Sequence, residues 1–430
     1  MTLPDRELSF LGISDLTAFT SAGGLNMNDL KTLDTPDLAI FGGKPARLQP
    51  IEAGVAISDL ARERVMALLD TGNLSNYYNG PWARRFEEEF ARTHSLEHYA
   101  VAVNSGTSAL HLAVTAAGIG PGDEVIVPAL CFVAAATAVV QNGGVPVICD
   151  AEPDTLTIDV AQAENLIGLR TKAILVVHFW GYPSNVAALR ELCDRHGLAL
   201  IEDCAQALGA PAHGRTVGNF GDYATYAFSV RKHIACGEGG MVLCRNEESY
   251  EHIRRMSNYG KGPGWDDYSS LGYNYRMAEF PAIVALDGLC RLDNEIRARR
   301  QAGAYYAEIF HDTGLDVVHE PSWGRSVFFK CPVLLPPGMT AERQRIVDAI
   351  SAENVSCRIP HRPLYSIPWL AKYLKQKGAY RGAEGCPTVA AIYPRLIEIE
   401  SGPHLPIEEA RLTGAAVMKV WRYFSASAPV

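Results

Sequence analysis

The chain has no run of about 18 apolar residues, the length a membrane-crossing helix needs, so no span is expected. It has no Lys/Arg-rich run and no helical face that reads as a basic stripe. Its formal net charge is −9. An acidic surface of that kind gives no broad attraction for nucleic acid or anionic membrane, and neither is expected as a partner. Its ten cysteines include no CxxC and no Cys/His pair at zinc spacing, so no metal site is expected. Several cysteines sit inside apolar stretches such as VPVICD and MVLC, which reads as buried, reduced thiols in a cytoplasmic protein. The opening MTLPDRELSF has no basic segment followed by an apolar one, so no signal peptide is expected. Internal repeats and low-complexity tracts are also missing.

What is present is an ordinary globular composition: 430 residues, 48% hydrophobic and 20% charged. Length alone suggests two or three domains of about 150 residues each, or one large domain with a smaller partner. Residues 1–50 are weakly patterned and read as an N-terminal arm packed on the body. SDLARERVMALLD (58–70) has helical spacing, 71–81 reads as a loop, and RRFEEEFARTHS continues as an amphipathic helix. From about residue 98, apolar runs of strand length alternate with helical stretches: HYAVAV, DEVIVP, VPVICD, TKAILVVHF and LALIED are the strands. This is a chain of βαβ units and predicts a mostly parallel sheet with helices on both faces. Residues 51–293 form the expected large α/β domain. A helix at 294–310 leads out of it into a smaller α+β domain over 294–430.

Ligands of such sheets sit at the carboxyl ends of the strands. Four segments lie there: NSGTS, LCFV, HFWGYPSN and EDCAQ. Ser105-Gly106-Thr107-Ser108 lies between a strand and a helix. Its small residues and helix N-terminus suit a phosphate, and equally suit a plain N-cap turn. Asp203 follows the run LALI and is placed either to pair with a protonated ring nitrogen or to serve as a cap or ion-pair partner. Gln206, three residues on, can donate to a ring oxygen or act as a structural amide. Lys232 sits in a small-residue loop before Gly237-Glu238-Gly239-Gly240. It suits a Schiff base, though a lone lysine is more often a solvated charge. HFWGYPSN (178–185) and GKGPGWDDYSS (260–270) are placed to line the substrate side, though His178, Trp180 and Trp265 individually read as packing or loop residues, and Glu238 as a turn residue.

The chain resembles the StrS/DegT-type sugar aminotransferases, fold-type I enzymes that use pyridoxal 5′-phosphate. The resemblance rests on SGTSALHLA, GIGPGDEVIVPALCFVA, GGVPVICDAEPDTLTID, IEDCAQALGA, the K-x-x-x-x-G-E-G-G of Lys232 to Gly240, and LGYNYRMAEFPA. It implies a fold-type I architecture with a seven-stranded sheet and the following roles. Lys232 forms the Schiff base with pyridoxal phosphate. Asp203 pairs with the pyridinium nitrogen, and Gln206 lies near the phenolic oxygen. Phe132 stacks on the ring. The Gly106–Thr107–Ser108 turn holds the phosphate through the backbone amides of Thr107 and Ser108. Asn274 reaches the phosphate from the neighbouring subunit, which implies a homodimer with shared sites. The phosphate-binding serine usual in that family is Ala227 here, and Ser229 is the nearby hydroxyl.

The resemblance further implies transfer of an amino group from glutamate or glutamine to a nucleotide-linked keto-sugar or a keto-cyclitol. EDCAQALGA and LAIFGGKPA lean toward the cyclitol and antibiotic-pathway branch. A lysine in this role is expected to have a depressed pKa. Two other outcomes remain open at this point: a dehydratase of the same family, and a non-catalytic regulatory homologue. Retention of Lys232, although His233 follows it, favours amination.

Overall fold

A computed structural model describes residues 38–50, 54, 56–75, 77, 80–95, 99–262, 264, 266–402 and 406–426. Residues 1–37 of the expected arm, and Trp265, lie outside the described residues. The helices and strands run in the order α1 (Asp59–Thr71), α2 (Pro81–His94), β1 (Tyr99–Val103), α3 (Gly106–Ala116), β2 (Glu124–Pro128), α4 (Ala134–Gln141), β3 (Val145–Cys149), α5 (Val160–Leu166), β4 (Thr171–Val177), α6 (Val186–His196), β5 (Ala199–Asp203), β6 (Pro211–Ala212), β7 (Arg215–Thr216), β8 (Tyr223–Ala227), β9 (Gly240–Cys244), α7 (Glu247–Ser257), α8 (Glu279–Phe310), β10 (Asp316–Val317), β11 (Lys330–Leu334), α9 (Arg343–Ala352), β12 (Cys357–Arg358), α10 (Pro368–Gln376), α11 (Pro387–Ile392), β13 (Leu396–Glu400) and α12 (Ile407–Ala426).

Seven strands form one sheet in the order β1-β9-β8-β5-β4-β2-β3. The pairs among β3, β2, β4, β5 and β8 are parallel, and β9 runs antiparallel to both β8 and β1. This is the mostly parallel seven-stranded sheet expected from the sequence. The alternation within strands shows why both faces are apolar. Val101, Val103, Val125, Val127, Leu175 and Val177 enter one core. Ala100, Ala102, Ile126, Ile174 and Val176 enter the other, under α2, α6 and the first half of α8. Successive side chains on a strand point to opposite faces, so a helix-covered sheet requires continuous apolar runs.

The second sheet has the order β10-β11-β13-β12 and is antiparallel throughout. Helix α8 runs unbroken through 293–294, where the sequence placed a domain boundary, and begins at Glu279 rather than 294. Residues 38–47 are tied down by Glu353: its carboxylate accepts the N–H groups of Ala39 at 2.9 Å and Ala46 at 2.6 Å. All ten cysteines are free; nine are buried, and Cys290 is exposed.

Candidate active site

The site forms where β1, β5 and β8 end. After β1 the chain turns at Ser105, whose Oγ accepts the Ser108 N–H at 3.0 Å and caps α3. Gly106 is needed here because a Cβ at that position would lie 2.5 Å from the Ala227 Cβ. The α3 N-terminus is therefore pressed directly against the end of β8. Gly106 and Thr107 line a cavity of about 130 Å³. First-turn N–H groups lack intrahelical partners and favour an anion. Ser108 departs from expectation. Its N–H is already taken by the Ser105 cap, its Oγ shares a 2.9 Å hydrogen bond with Ser105 Oγ, and it is not among the residues lining the cavity.

Asp203 is the last residue of β5 and is buried. Burial raises its pKa, while the Ala205 N–H, bonded to Oδ1 at 3.0 Å, and the neighbouring Lys232 oppose that rise. Among the described residues no other hydrogen bond to this carboxylate occurs, so it keeps acceptor capacity on the cavity side. Gln206 also lines the cavity. Its Oε1 accepts the Trp180 N–H at 2.8 Å, which leaves its NH₂ as the group available to a ligand. Trp180 has a left-handed φ of 55°, and its indole N–H donates to Glu398 Oε2 at 2.7 Å.

Lys232 lies beyond β8 in a turn closed by its own N–H donating to Ser229 O at 3.1 Å. Its amine faces the Phe329 ring, 4.7 Å from the centroid. Burial pushes its pKa down to about 8; Asp203 resists that shift, while Lys330 and Arg299 add to it. Ser229 and Ala227 both line the cavity, as do Glu238 and Phe132. Phe132 is 45% exposed, which leaves much of its ring open, and its edge meets His361 at 5.2 Å. Asn274 is exposed and is not among the residues lining its own chain's cavity; its carbonyl accepts from Asn104 Nδ2 at 3.4 Å.

Behind Asp203, a buried brace fixes the strand ends. His178, Glu202 and Cys204 converge there. The Ser184 N–H donates to His178 Nδ1 at 3.1 Å, so the proton sits on Nε2 and points at Glu202, 3.2 Å away. Glu202 also accepts the N–H groups of Gly218, Phe220 and Gly221. Its oxygens are fully used, and burial holds the Cys204 thiol pKa well up, so the group acts as a brace rather than a metal site. His178 and Trp180 are both buried structural residues, as the sequence suggested.

Sequence reasoning missed Phe329, Arg299, Glu398 and Glu400. The one available signal was the alternation LIEIE at 396–400, which places two glutamates on one face of a strand whose residues are all buried.

The cavity presents an amine, a buried carboxylate, an amide donor, an open aromatic face and a helix N-terminus cleared of side chain at Gly106. These features fit a flat ring bearing an aldehyde, a basic nitrogen and a phosphate. Fold and site together define a pyridoxal-phosphate-dependent enzyme of fold type I. Residues 56–417 match the DegT/DnrJ/EryC1/StrS aminotransferase family, and the chain belongs to that family. It is similar to a GDP-perosamine synthase of Caulobacter vibrioides, 36% identical over 312 residues, covering 71% of this chain and 83% of that one. It is also similar to an L-glutamine:2-deoxy-scyllo-inosose aminotransferase of Streptomyces paromomycinus, 38% identical over 295 residues, covering 65% and 69%. Among solved structures it resembles S. venezuelae DesV in complex with a ketimine intermediate, at 31% identity and TM-score 0.76, covering 84% of this chain and 93% of that one.

Proposed function

We propose that this protein transfers an amino group from glutamate or glutamine to a nucleotide-linked keto-sugar or a keto-cyclitol, working as a cytoplasmic homodimer with shared sites. One observation carries the proposal: a single lysine, Lys232, lines the same cavity as the buried Asp203 carboxylate and Gln206. Bound pyridoxal phosphate would supply an electron sink for the charge left when a donor amine loses its α-proton.

The chain's own residues do the rest. Lys232 anchors the cofactor and then, with a pKa near 8, takes up and returns a proton close to neutral pH. Asp203 pairs with the ring nitrogen and favours its protonated form, because a buried anion raises the pKa of a neighbouring base. Gln206 donates its NH₂ to the ring oxygen, held in that orientation by the Trp180 N–H. Phe132 covers one ring face. Gly106, Thr107 and Ser229 receive the phosphate, with Ser229 serving in place of the hydroxyl that Ala227 lacks, and Asn274 of the partner subunit completes that pocket. The acceptor classes follow the relatives, one named for a nucleotide sugar and the other for an inosose.

The test combines trapping and colour. Borohydride reduction of the protein with pyridoxal phosphate, followed by peptide mapping, is expected to label Lys232. Glutamate or glutamine is then expected to bleach the cofactor band, and a keto-sugar or keto-cyclitol acceptor to restore it. Label at another lysine would overturn the site. Bleaching with no recovery by any acceptor would favour the dehydratase, and a protein that stays colourless would favour the regulatory homologue.

A further inference from the structure

The second sheet backs the site through β11, which carries Lys330, and through β13. On β13, Glu398 and Glu400 are two residues apart and so share a face. Both are buried. Each holds a different arm of the cavity.

Glu400 holds the lysine arm. Its Oε2 lies 2.7 Å from Lys330 Nζ and 3.2 Å from Arg231 Nη1, and accepts from Ser356 Oγ at 3.0 Å. Burial would raise this carboxylate's pKa, but Lys330 and Arg231 hold it below its ordinary value, so it stays ionised. Arg231 directly precedes Lys232 and has a φ of 73°. A non-glycine residue in that region is strained and is held there by its surroundings. Two contacts on Arg231 supply the hold: Glu400 on the guanidinium and Arg299 Nη2 on the Arg231 carbonyl at 3.4 Å; the same Arg299 donates through Nη1 to the Phe329 carbonyl at 3.1 Å. The Phe329 ring is the surface that Lys232 Nζ faces.

Glu398 holds the amide arm. It accepts the Trp180 indole N–H on Oε2 and Arg358 Nε on Oε1. Trp180 is the second strained non-glycine residue of the site, and its backbone N–H fixes the Gln206 amide.

We infer that Glu398 and Glu400 are positioning residues for the cofactor site: Glu400 sets the Arg231–Lys232 backbone and Glu398 sets the Trp180 turn that orients Gln206. Neither touches the cavity. The inference rests on the assignment of Lys232 as the anchoring amine. The charged and titratable groups around that amine are Asp203 on β5, Glu238 across the cavity, Lys330 on β11, Arg299 on α8, Arg231 and His233 on either side of it in the chain, and His361 beyond β12.

The experiment uses the full chain. Glu400→Gln, Arg231→Met, the double variant, Glu398→Ala and Glu398→Gln are each titrated with pyridoxal phosphate, and the pH midpoint of the cofactor's visible band is recorded. Arg231 is 42% exposed on its side chain, so Arg231→Met keeps the test open if Glu400→Gln fails to fold. Glu400→Gln and Arg231→Met are each expected to weaken cofactor binding about tenfold and to shift the midpoint in the same direction. The double variant is expected to be no worse than Glu400→Gln alone, since the ion pair that Arg231→Met removes is already lost when Glu400 gives up its charge, along with its pair to Lys330. Glu398→Ala is expected to weaken binding, and Glu398→Gln, which keeps an acceptor for Trp180, to restore most of it. Wild-type affinity and midpoint in Arg231→Met and Glu398→Ala would overturn the inference, as would additive losses in the double variant. Wild-type protein that traps no label at Lys232 would instead overturn the lysine assignment.

Discussion

At the scale of single residues, the site is governed by competition between burial and charge at Lys232. A lysine in water is protonated up to about pH 10.4. Burial beside Phe329 lowers that to about 8, with Lys330 and Arg299 pushing the same way and Asp203 resisting. At pH 7 roughly one amine in ten is therefore neutral and nucleophilic, against fewer than about one in a thousand for a surface lysine. An amine-selective acylating reagent applied to the cofactor-free protein is expected to label Lys232 with a midpoint near pH 8. Asp203→Asn removes the buried anion that favours the charged form, so the midpoint should move lower still. A midpoint near that of the bulk lysines would contradict the burial argument. Lys232→Ala is expected to abolish labelling in that peptide and to cut amino transfer by about 10²-fold or more.

At the scale of elements, the cavity depends on how closely α3 meets β8. Gly106 has no side chain because Ala227 occupies the space. Gly106→Ala is expected to push the α3 N-terminus off the strand, lowering both the melting temperature and cofactor affinity. Ala227→Gly in the same chain removes the clashing Cβ and leaves the Ala227 Cα at 3.2 Å as the nearest atom, so it should recover part of both losses. No recovery in the double variant would show that the close approach is not the reason for glycine.

The same scale shows what a sequence can reveal. The parallel strands were readable because burial on both faces makes them continuous apolar runs, and the ligand-facing turns follow from where those runs end. Lys232, Asp203, Gln206 and Phe132 meet at one cavity for that reason. The start of α8 was hidden. Its first half, EFPAIVALDGLC, is buried nearly all round, so it lacks the one-sided period that marks a surface helix. Its first residue, Glu279, accepts the N–H groups of Trp82 and Ala83 at the start of α2, contacts 197 and 196 residues apart in the chain. Arg231 and Glu400 are 169 residues apart. No local pattern encodes such pairs. The Ser108 amide was misjudged because its spacing suits a phosphate and a serine cap equally, and the cap takes it.

At the scale of the whole molecule, Glu202 ties the sheet to the 211–221 turn and fixes the strand end that carries Asp203. It is wholly buried yet accepts from His178 and three backbone N–H groups. Burial raises its pKa, but these donors outweigh burial, and the net value lies below the ordinary 4.5. An acid with a lowered folded pKa adds stability above its unfolded pKa and loses it as pH falls through the folded value. The Glu202 contribution is thus complete at neutral pH and fades below pH 4.5. Glu87 works in the opposite sense, since burial raises its pKa above 4.5, so wild-type acid unfolding alone cannot isolate Glu202. The comparison with Glu202→Gln can. Urea unfolding of both proteins from neutral pH down through the acid range is expected to show the variant about 3 kcal/mol less stable near pH 7. That gap should narrow as pH falls below 4.5, because the variant has no carboxylate to protonate there. A gap that stays constant across the acid range would mean that Glu202 is equally protonated in the folded and unfolded chains, and that the brace behind Asp203 is not held by charge.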